Sequence, residues 1–426
     1  MKKLTISLLA MLFSLMANAE SPDIIVNEEY FPDANFRNFL LNEPYGKDGI
    51  ITDEEILSIT SLQISNKRIS DLRGIGYFMA LMDLRCTANQ LTSLDVSGCT
   101  ALTNLYCDYN QLTSLDVSGC TALMNLNCCD NQLTSLDVSG FTVLTNLNCR
   151  GNQLTSLDVS GCTDLTKMYC DYNQLTNLDV SGCTALTNLN CRDNQLTSLD
   201  VSGYTALTYL NCRGNKLTSL DVSGCTALKD SYCRDNQLTS LDVSGCTALT
   251  SLNCCDNQLT SLDASGCTAL WLLECYNNQL TSIDVSGCTV LKKLYCRNNQ
   301  LTSLDVSKNT ALTYLSCAGN KIKGEAMDAL VSTLPIQNQT ELYIITPNSA
   351  QEGNICTKDQ INIANGRGWR VLTSSGNNYE GSDPSGIQGI TLDKNDNTSV
   401  YNLYGRRIKK PSKGINIIGG KKILKY

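Results

Sequence analysis

Twelve cysteines recur every 21 residues, at Cys86, Cys107, Cys128, Cys149, Cys170, Cys191, Cys212, Cys233, Cys254, Cys275, Cys296 and Cys317, without a slip of register. A fixed period of ~20–50 residues marks a solenoid, in which each unit buries its apolar side only against its neighbours. The chain therefore reads as a surface for binding before anything else.

The unit from Leu102 to Ala122 is LTNLYCDYNQLTSLDVSGCTA, and its copies keep the frame LxxLxCxxNxLxxLDVSGCTx. In Leu105-Tyr106-Cys107 apolar and polar residues alternate, which predicts one short strand per coil with Leu105 and Cys107 inward and Tyr106 outward. An asparagine follows in every coil, from Asn89 to Asn320, placed where an in-register amide can bond the turn backbone above and below it. A weaker half-repeat, LxxLDVSxC, puts Leu115 and Val117 on the opposite wall. Asp, Val, Ser, Gly, Cys and Thr are poor helix formers, so that wall is expected to be a short extended ladder.

The frame resembles the leucine-rich repeat, and the 21-residue length with cysteine in place of a strand leucine is most similar to the cysteine-ladder internalins, bacterial surface proteins. The resemblance covers 59–320 and implies a right-handed solenoid. The expected fold class is α/β leaning all-β: 21-residue coils with a parallel front sheet, a short extended back ladder, a helical N-terminal cap and a small α/β C-terminal cap. The N-terminal cap, 20–58, reads as two short helices, the first opened by Pro32 and Asp33 and the second by a capping box of Thr52 and Glu55. Asp48, Gly49, Ile51 and Glu55 are similar to the second half of an EF-hand loop, but Pro44 and Gly46 stand where the first oxygen ligands belong, which favours a structural cap. Over 321–372 the expected elements are a helix at Glu325 to Leu334, a strand at Leu342 to Thr346, a helix at Thr357 to Asn365 and a strand at Trp369 to Leu372. A flexible linker is expected at 373–388.

The ends of the chain carry expectations about destination. Lys2 and Lys3, an apolar run from Leu4 to Met16 and Ala17-Asn18-Ala19 read as a signal peptide over 1–19. No later stretch approaches the ~20 apolar residues of a membrane span. The tail 389–426, with Val400 to Leu403, Gly405-Arg406-Arg407 and Lys421-Lys422, is similar to the C-terminal sorting sequences of Bacteroidetes proteins, which implies the cell surface or the medium.

Cysteine totals 23 and histidine zero. Equivalent side chains on neighbouring parallel strands lie ~4.8 Å apart, whereas disulfide Cβ atoms want ~3.8 Å, so the cysteine ladder is expected to be buried thiols acting as small hydrophobes. A second ladder at Cys99, Cys120, Cys162, Cys183, Cys225, Cys246, Cys267 and Cys288 is interrupted by Phe141, Tyr204 and Asn309, which keep volume and discard sulfur. Cys129 and Cys255 each follow a ladder cysteine and are expected to face outward, as the reactive thiols. The aspartates from Asp95 to Asp305 that repeat in eleven coils are expected to accept bonds from the Ser and Gly amides of their own turns, with a row of weak cation sites as the alternative; no metal site is assigned and no cofactor is expected.

The net charge of −8 makes nucleic acid an unsuitable partner. Absence of histidine removes the commonest general base, and a regular open sheet offers no pocket, so no enzyme is expected. The outward strand positions vary while the frame does not. There stand Tyr106, Tyr169, Tyr209, Tyr232 and Tyr295, and two places beyond the tyrosine column Arg150, Arg192, Arg213, Arg234 and Arg297; tyrosine and arginine are enriched at binding hot spots. Three consecutive guanidiniums are expected to hold an anionic polymer or an acidic protein face. The function expected is an exported recognition or adhesion protein binding a host protein or glycan, with a ligand-free envelope spacer as the alternative.

Overall fold

The computed structural model describes residues 23–338 and 340–382, together with the backbone of four strands between 400 and 425. The leader expected over 1–19 lies outside the described residues. Two compact units are present, up to Gln258 and from Leu259 onward.

The first unit opens with a helix, Ala34–Asn42, whose N-cap Asp33 accepts from the amides of Asn35 and Phe36 with one carboxylate oxygen. The other oxygen accepts from the Ser70 amide and hydroxyl at 2.8 Å, fastening the cap to the first coil. A second helix, Asp53–Ser58, starts in the expected capping box of Thr52 and Glu55. Ile24–Ile25 pairs antiparallel with Ile50–Ile51.

Three-residue parallel strands then follow from Ser61–Gln63 to Ser251–Asn253, neighbours in this series being hydrogen-bonded to one another. Their register advances by one repeat at a time, as in Lys167↔Asn188 and Asn188↔Tyr209, so like residues stack on like. The central residue of each strand, leucine except at Met168 and Ser231, and the ladder residue after it, cysteine except at Ile64, are buried, and the flanking residues apart from Ser251 reach solvent. In the second unit the strands Leu272–Glu274, Lys293–Tyr295 and Tyr314–Ser316 continue the same pattern. Thr340–Ile345 and Trp369–Thr373 extend that sheet, alternating with helices Glu325–Thr333 and Lys358–Gly366 in the α/β cap. Both units are thus parallel β-solenoids of 21-residue coils with few helices, the expected class.

Ladder asparagines from Asn89 to Asn320 are buried and bond in the expected way. The Asn110 side chain, for example, accepts from the Leu91 amide of the preceding coil at 3.0 Å and donates to the carbonyls of Cys86 and Cys107 at 3.1 and 3.0 Å. The residue just before this asparagine has a left-handed backbone in every coil, with φ between 51° and 70°. Gly, Asp and Asn meet that demand at low cost, whereas Tyr109 and Tyr172 are bulky occupants of it.

The back wall carries the expected extended ladder in short runs, Ser93–Asp95 with Ser114–Asp116 and Ser261–Asp263 with Ser282–Asp284, plus single bridges such as Asp137↔Asp158. Each aspartate accepts from the serine amide two residues on, from Asp95 with Ser97 at 2.9 Å to Asp305 with Ser307 at 2.8 Å. The glycine amide takes no part in these bonds. The serine contacts hold the carboxyls of Asp116, Asp137 and Asp179 below the usual range, so the row stays ionised.

All 23 cysteines are free thiols and all are buried. Burial pushes up the pKa of the thiols at Cys86, Cys107, Cys128, Cys149, Cys170 and Cys191, that of Cys149 to about 12, which makes them poor nucleophiles. In the second ladder the thiol has a further role. Cys120, Cys162 and Cys225 donate to the carbonyls of Val96, Val138 and Val201 one coil earlier, at 3.3, 3.2 and 3.2 Å. Tyr204 donates through its hydroxyl to Val180, and Asn309 through its amide to Val285 at 2.8 Å. The position therefore selects a small buried donor, and Tyr204 and Asn309 preserve that property although they discard the sulfur; Phe141 does not.

One expectation about the C-terminal region is altered. The stretch read as a linker from 373 is hydrogen-bonded back onto the cap as far as Ser382, whose amide donates to the Cys356 carbonyl at 2.9 Å. In the tail, Val400–Tyr401, Arg407–Ile408, Gly414–Ile418 and Lys421–Lys425 form an antiparallel four-stranded sheet.

Candidate recognition surface

Each short strand turns two side chains outward and the following corner turns out two more, so the front face is four parallel columns stacked by the strand repeat. The column that begins each strand contains an amide ladder: Asn125 donates to Asn104 at 2.6 Å, and Asn146 to Asn125 at 2.5 Å. The next column holds Tyr106, Tyr169 and Tyr232, with asparagines between. Those asparagines are structural as well as exposed, because Asn148, Asn190 and Asn211 accept from the amides of Arg150, Arg192 and Arg213 and cap the strand ends.

The arginines occupy one column, as expected, but they are ion-paired. Arg192 Nε meets Asp193 at 2.7 Å, and Arg213 Nε meets Asp235 at 3.0 Å. Arg234 lies 3.3 Å from Asp235 and 2.9 Å from Asp256, and Arg150 lies 3.3 Å from Asp171. The Arg297 guanidinium sits 4.5 Å from the centre of the Tyr276 ring. Residues one place along the turn supply the neutralising acids, so the strip is of mixed charge. The three consecutive guanidiniums therefore stand beside carboxylates rather than alone.

Aromatic side chains cluster in both units. Tyr209 and Tyr232 lie 5.8 Å apart between ring centres, and Arg85 covers Tyr106 at 4.7 Å. In the second unit Tyr295 stacks on Tyr314 at 4.6 Å and Tyr314 on Tyr343 at 5.1 Å. Burial, reinforced by the two flanking tyrosines, raises the Tyr314 hydroxyl pKa, so the stack is neutral. Sequence reasoning missed Tyr314, although it shares the column of Tyr209, and Tyr343, which comes into register opposite Ser316 only through the cap.

Cys129 and Cys255 correct another expectation. They are 6% and 0% exposed, not outward-facing thiols. Their column is the one just after the ladder cysteine, where the chain turns the corner and a long arginine reaches solvent while a short side chain stays underneath. Cys129 lies between the charges of Asp108 and Arg150, and burial pushes its pKa to about 12. Both are shielded from solvent, which a reactive thiol is not.

The same corner buries Asp171, which is 4% exposed and whose Oδ1 has no hydrogen-bond partner among the described residues. Arg150 and Arg192 both lie over the adjacent Tyr172 ring, at 5.3 and 5.1 Å. With Asn148, Tyr169 and Asn190 these residues line a concavity of about 360 Å³. No group of three or more metal-ligating side chains occurs among the described residues.

Coils of this period, with a parallel front sheet, a buried asparagine ladder and stacked thiols, define a leucine-rich repeat protein of the cysteine-ladder type. Among solved structures, the functional domain of InlJ from Listeria monocytogenes, which includes a cysteine ladder, is 36% identical, covers 77% of this chain with 82% of its own, and superposes with a TM-score of 0.53. The internalin InlF of the same organism is 26% identical over 74% of this chain and 96% of its own, with a TM-score of 0.59. The chain therefore belongs to the internalin-like leucine-rich repeat proteins. A leucine-rich repeat protein of Leptospira interrogans, 23% identical over 68% of this chain and 86% of its own with a TM-score of 0.53, shares the fold. No protein-family model matches the chain, and no curated protein does.

Proposed function

We propose that the protein is an exported recognition or adhesion module that engages an extracellular protein or glycan through the outward columns of its front sheet, without catalysing a reaction. The observation that carries this reading is the contrast between an invariant buried frame and an outward face where tyrosine, arginine and asparagine vary from coil to coil. Tyrosine supplies large rigid contact area and arginine directional donors, the pairing found at binding hot spots. The internalin neighbours support a recognition role. The leader over 1–19 and the tail over 389–426, similar to sorting sequences, would carry the protein to the outer surface or the medium; among the described residues no helix is long and apolar enough to cross a membrane.

The test is a screen of the full chain on arrays of glycans and of extracellular proteins, followed by simultaneous Arg192→Ala, Arg213→Ala and Arg234→Ala. Loss of capture with an unchanged melting temperature is the expected result. Alanine is preferred to charge reversal because each arginine already faces a carboxylate. Capture that survives the triple substitution, or no capture of anything, removes the reading; a spacer would in addition tolerate excision of a whole 21-residue coil.

A further inference from the structure

We propose that the concavity around Asp171 and Tyr172 is a seat for one acidic sugar residue, a monosaccharide that carries a carboxylate and neighbouring hydroxyls. The proposal rests on the reading of the front sheet as a recognition surface and says what one part of it recognises.

Three observations converge. First, Asp171 is buried at the corner with Oδ1 unpaired, although such groups are nearly always satisfied in folded proteins. Its counterpart three places up the column, Asp108, accepts from the Thr87 hydroxyl at 2.9 Å; at Asp171 the coil before supplies Arg150 instead, whose Nε lies 3.3 Å from Oδ2. An acceptor is thereby left over just beneath the surface of the concavity that Asp171 lines. Second, Arg150 and Arg192 come closest to their carboxylates through Nε, and their Nη groups donate no hydrogen bond among the described residues. Third, Tyr172 holds a left-handed backbone, φ 55°, where the preceding coil has Gly151 and the second coil after it has Gly214. An aromatic side chain kept in a conformation that disfavours it points to a role for the ring itself.

The chemistry narrows the occupant. Two guanidiniums within reach repel a cationic donor, so the group that satisfies Asp171 Oδ1 is a neutral O–H or N–H. The Nη edges call for an anion, and guanidinium edges match carboxylate geometry. A neutral sugar brings hydroxyls without the carboxylate; an acidic amino-acid side chain brings the carboxylate without the hydroxyl. An acidic sugar brings both a few ångströms apart, with carbon-bound hydrogens for the tyrosine faces, and the cavity is at the small end of those that hold ligands.

The experiment is saturation-transfer NMR on the full chain with N-acetylneuraminic acid, glucuronic acid, galactose and N-acetylglutamate, repeated for Asp171→Asn and Tyr172→Gly, with a thermal melt of each variant. Saturation of one or both acidic sugars is expected, and which one answers separates a sialic from a uronic source; galactose and N-acetylglutamate stay silent. Each variant weakens acidic-sugar binding by about tenfold or more, the worth of one lost hydrogen bond to a charged group, while its melting temperature holds or rises. Silence of both acidic sugars, equal saturation of N-acetylglutamate, binding unchanged in the variants, or melting temperatures that fall with binding would each overturn the seat. If array ligands are still captured, and still lost with the arginine triple substitution, while both acidic sugars stay silent, the seat alone is refuted and the recognition surface stands.

Discussion

Replacing Asn194 by alanine tests what holds one coil to the next. The Asn194 Oδ1 accepts from the Leu175 amide at 3.0 Å, and its Nδ2 donates to the carbonyls of Cys170 and Cys191 at 3.0 Å each. Those carbonyls each keep another donor, Asn173 for Cys170 and Asn215 for Cys191, so only the Leu175 amide is orphaned. One buried N–H without a partner costs about 1–3 kcal/mol, and the two amide hydrogens, shared among these carbonyls and that of Arg192 at 3.3 Å, add about 0.5–1 kcal/mol each because their acceptors stay paired. The expected loss is therefore about 3 kcal/mol. Urea unfolding followed by circular dichroism reads it as a lower midpoint at unchanged slope. The comparison is Asn190→Ala, four residues earlier on the solvent face, where a single 3.3 Å bond from the Arg192 amide is replaced by water and the loss stays under about 0.5 kcal/mol. Asn194→Asp should cost at least as much as alanine, because a carboxylate oxygen would face two carbonyls. Equal losses at Asn190 and Asn194, or a loss below about 1 kcal/mol at Asn194, would refute the amide ladder as the fastening between coils.

Ser231 occupies a strand position where the neighbouring coils place Leu210 and Leu252 in unbroken register, so Ser231→Leu should stabilise the protein by about 1–2 kcal/mol in the same assay, and a loss would show that the coil has closed over the space. A thiol reagent should label none of the 23 cysteines in the native protein, Cys129 and Cys255 included, and all of them in urea without reductant; rapid native labelling of those two would contradict their burial. Burial holds the Asp171 carboxyl above its ordinary pKa, with Arg150 and Arg192 pulling it back. The ionised form is thus disfavoured in the fold: its cost is absent below the unfolded pKa and complete above the raised one. Asp171→Asn should stabilise at neutral pH, and the gain should disappear as pH falls to about 4 or below, whereas a pH-independent difference would discount the burial argument.

The solenoid was legible because its signals are local and repeated. Leu105 and Cys107 declare a strand by alternation, and twelve in-phase asparagines declare a ladder by position. What escaped depends on neighbours that a single unit does not show. Cys129 and Asp171 share an outward-reading position, yet side-chain length and the residues one coil away decide which occupants reach water. Tyr204 and Asn309 look like volume fillers until the carbonyls of Val180 and Val285 give them a hydrogen-bond role. Neutralisation of the arginine column by Asp193, Asp235 and Asp256 depends on turn geometry that spacing alone does not give. Ser382 returns to the cap through a composition that reads as linker.

The asparagine ladder has a direction. Each amide takes hold of the coil that precedes it, and the series is completed by Asn354, which accepts from the Ile322 amide at 2.8 Å and donates to the carbonyls of Cys317 and Ile344. A chain emerging amino end first can therefore lay down its turns in order, each new one locking onto a template already in place. A truncation from the carboxyl end that removes Asn354 leaves the last turn with open backbone groups, while growth or loss of whole turns within the series leaves every clasp intact. Length in this architecture is then free to drift in steps of one turn, with the end-piece as the part that has to be kept.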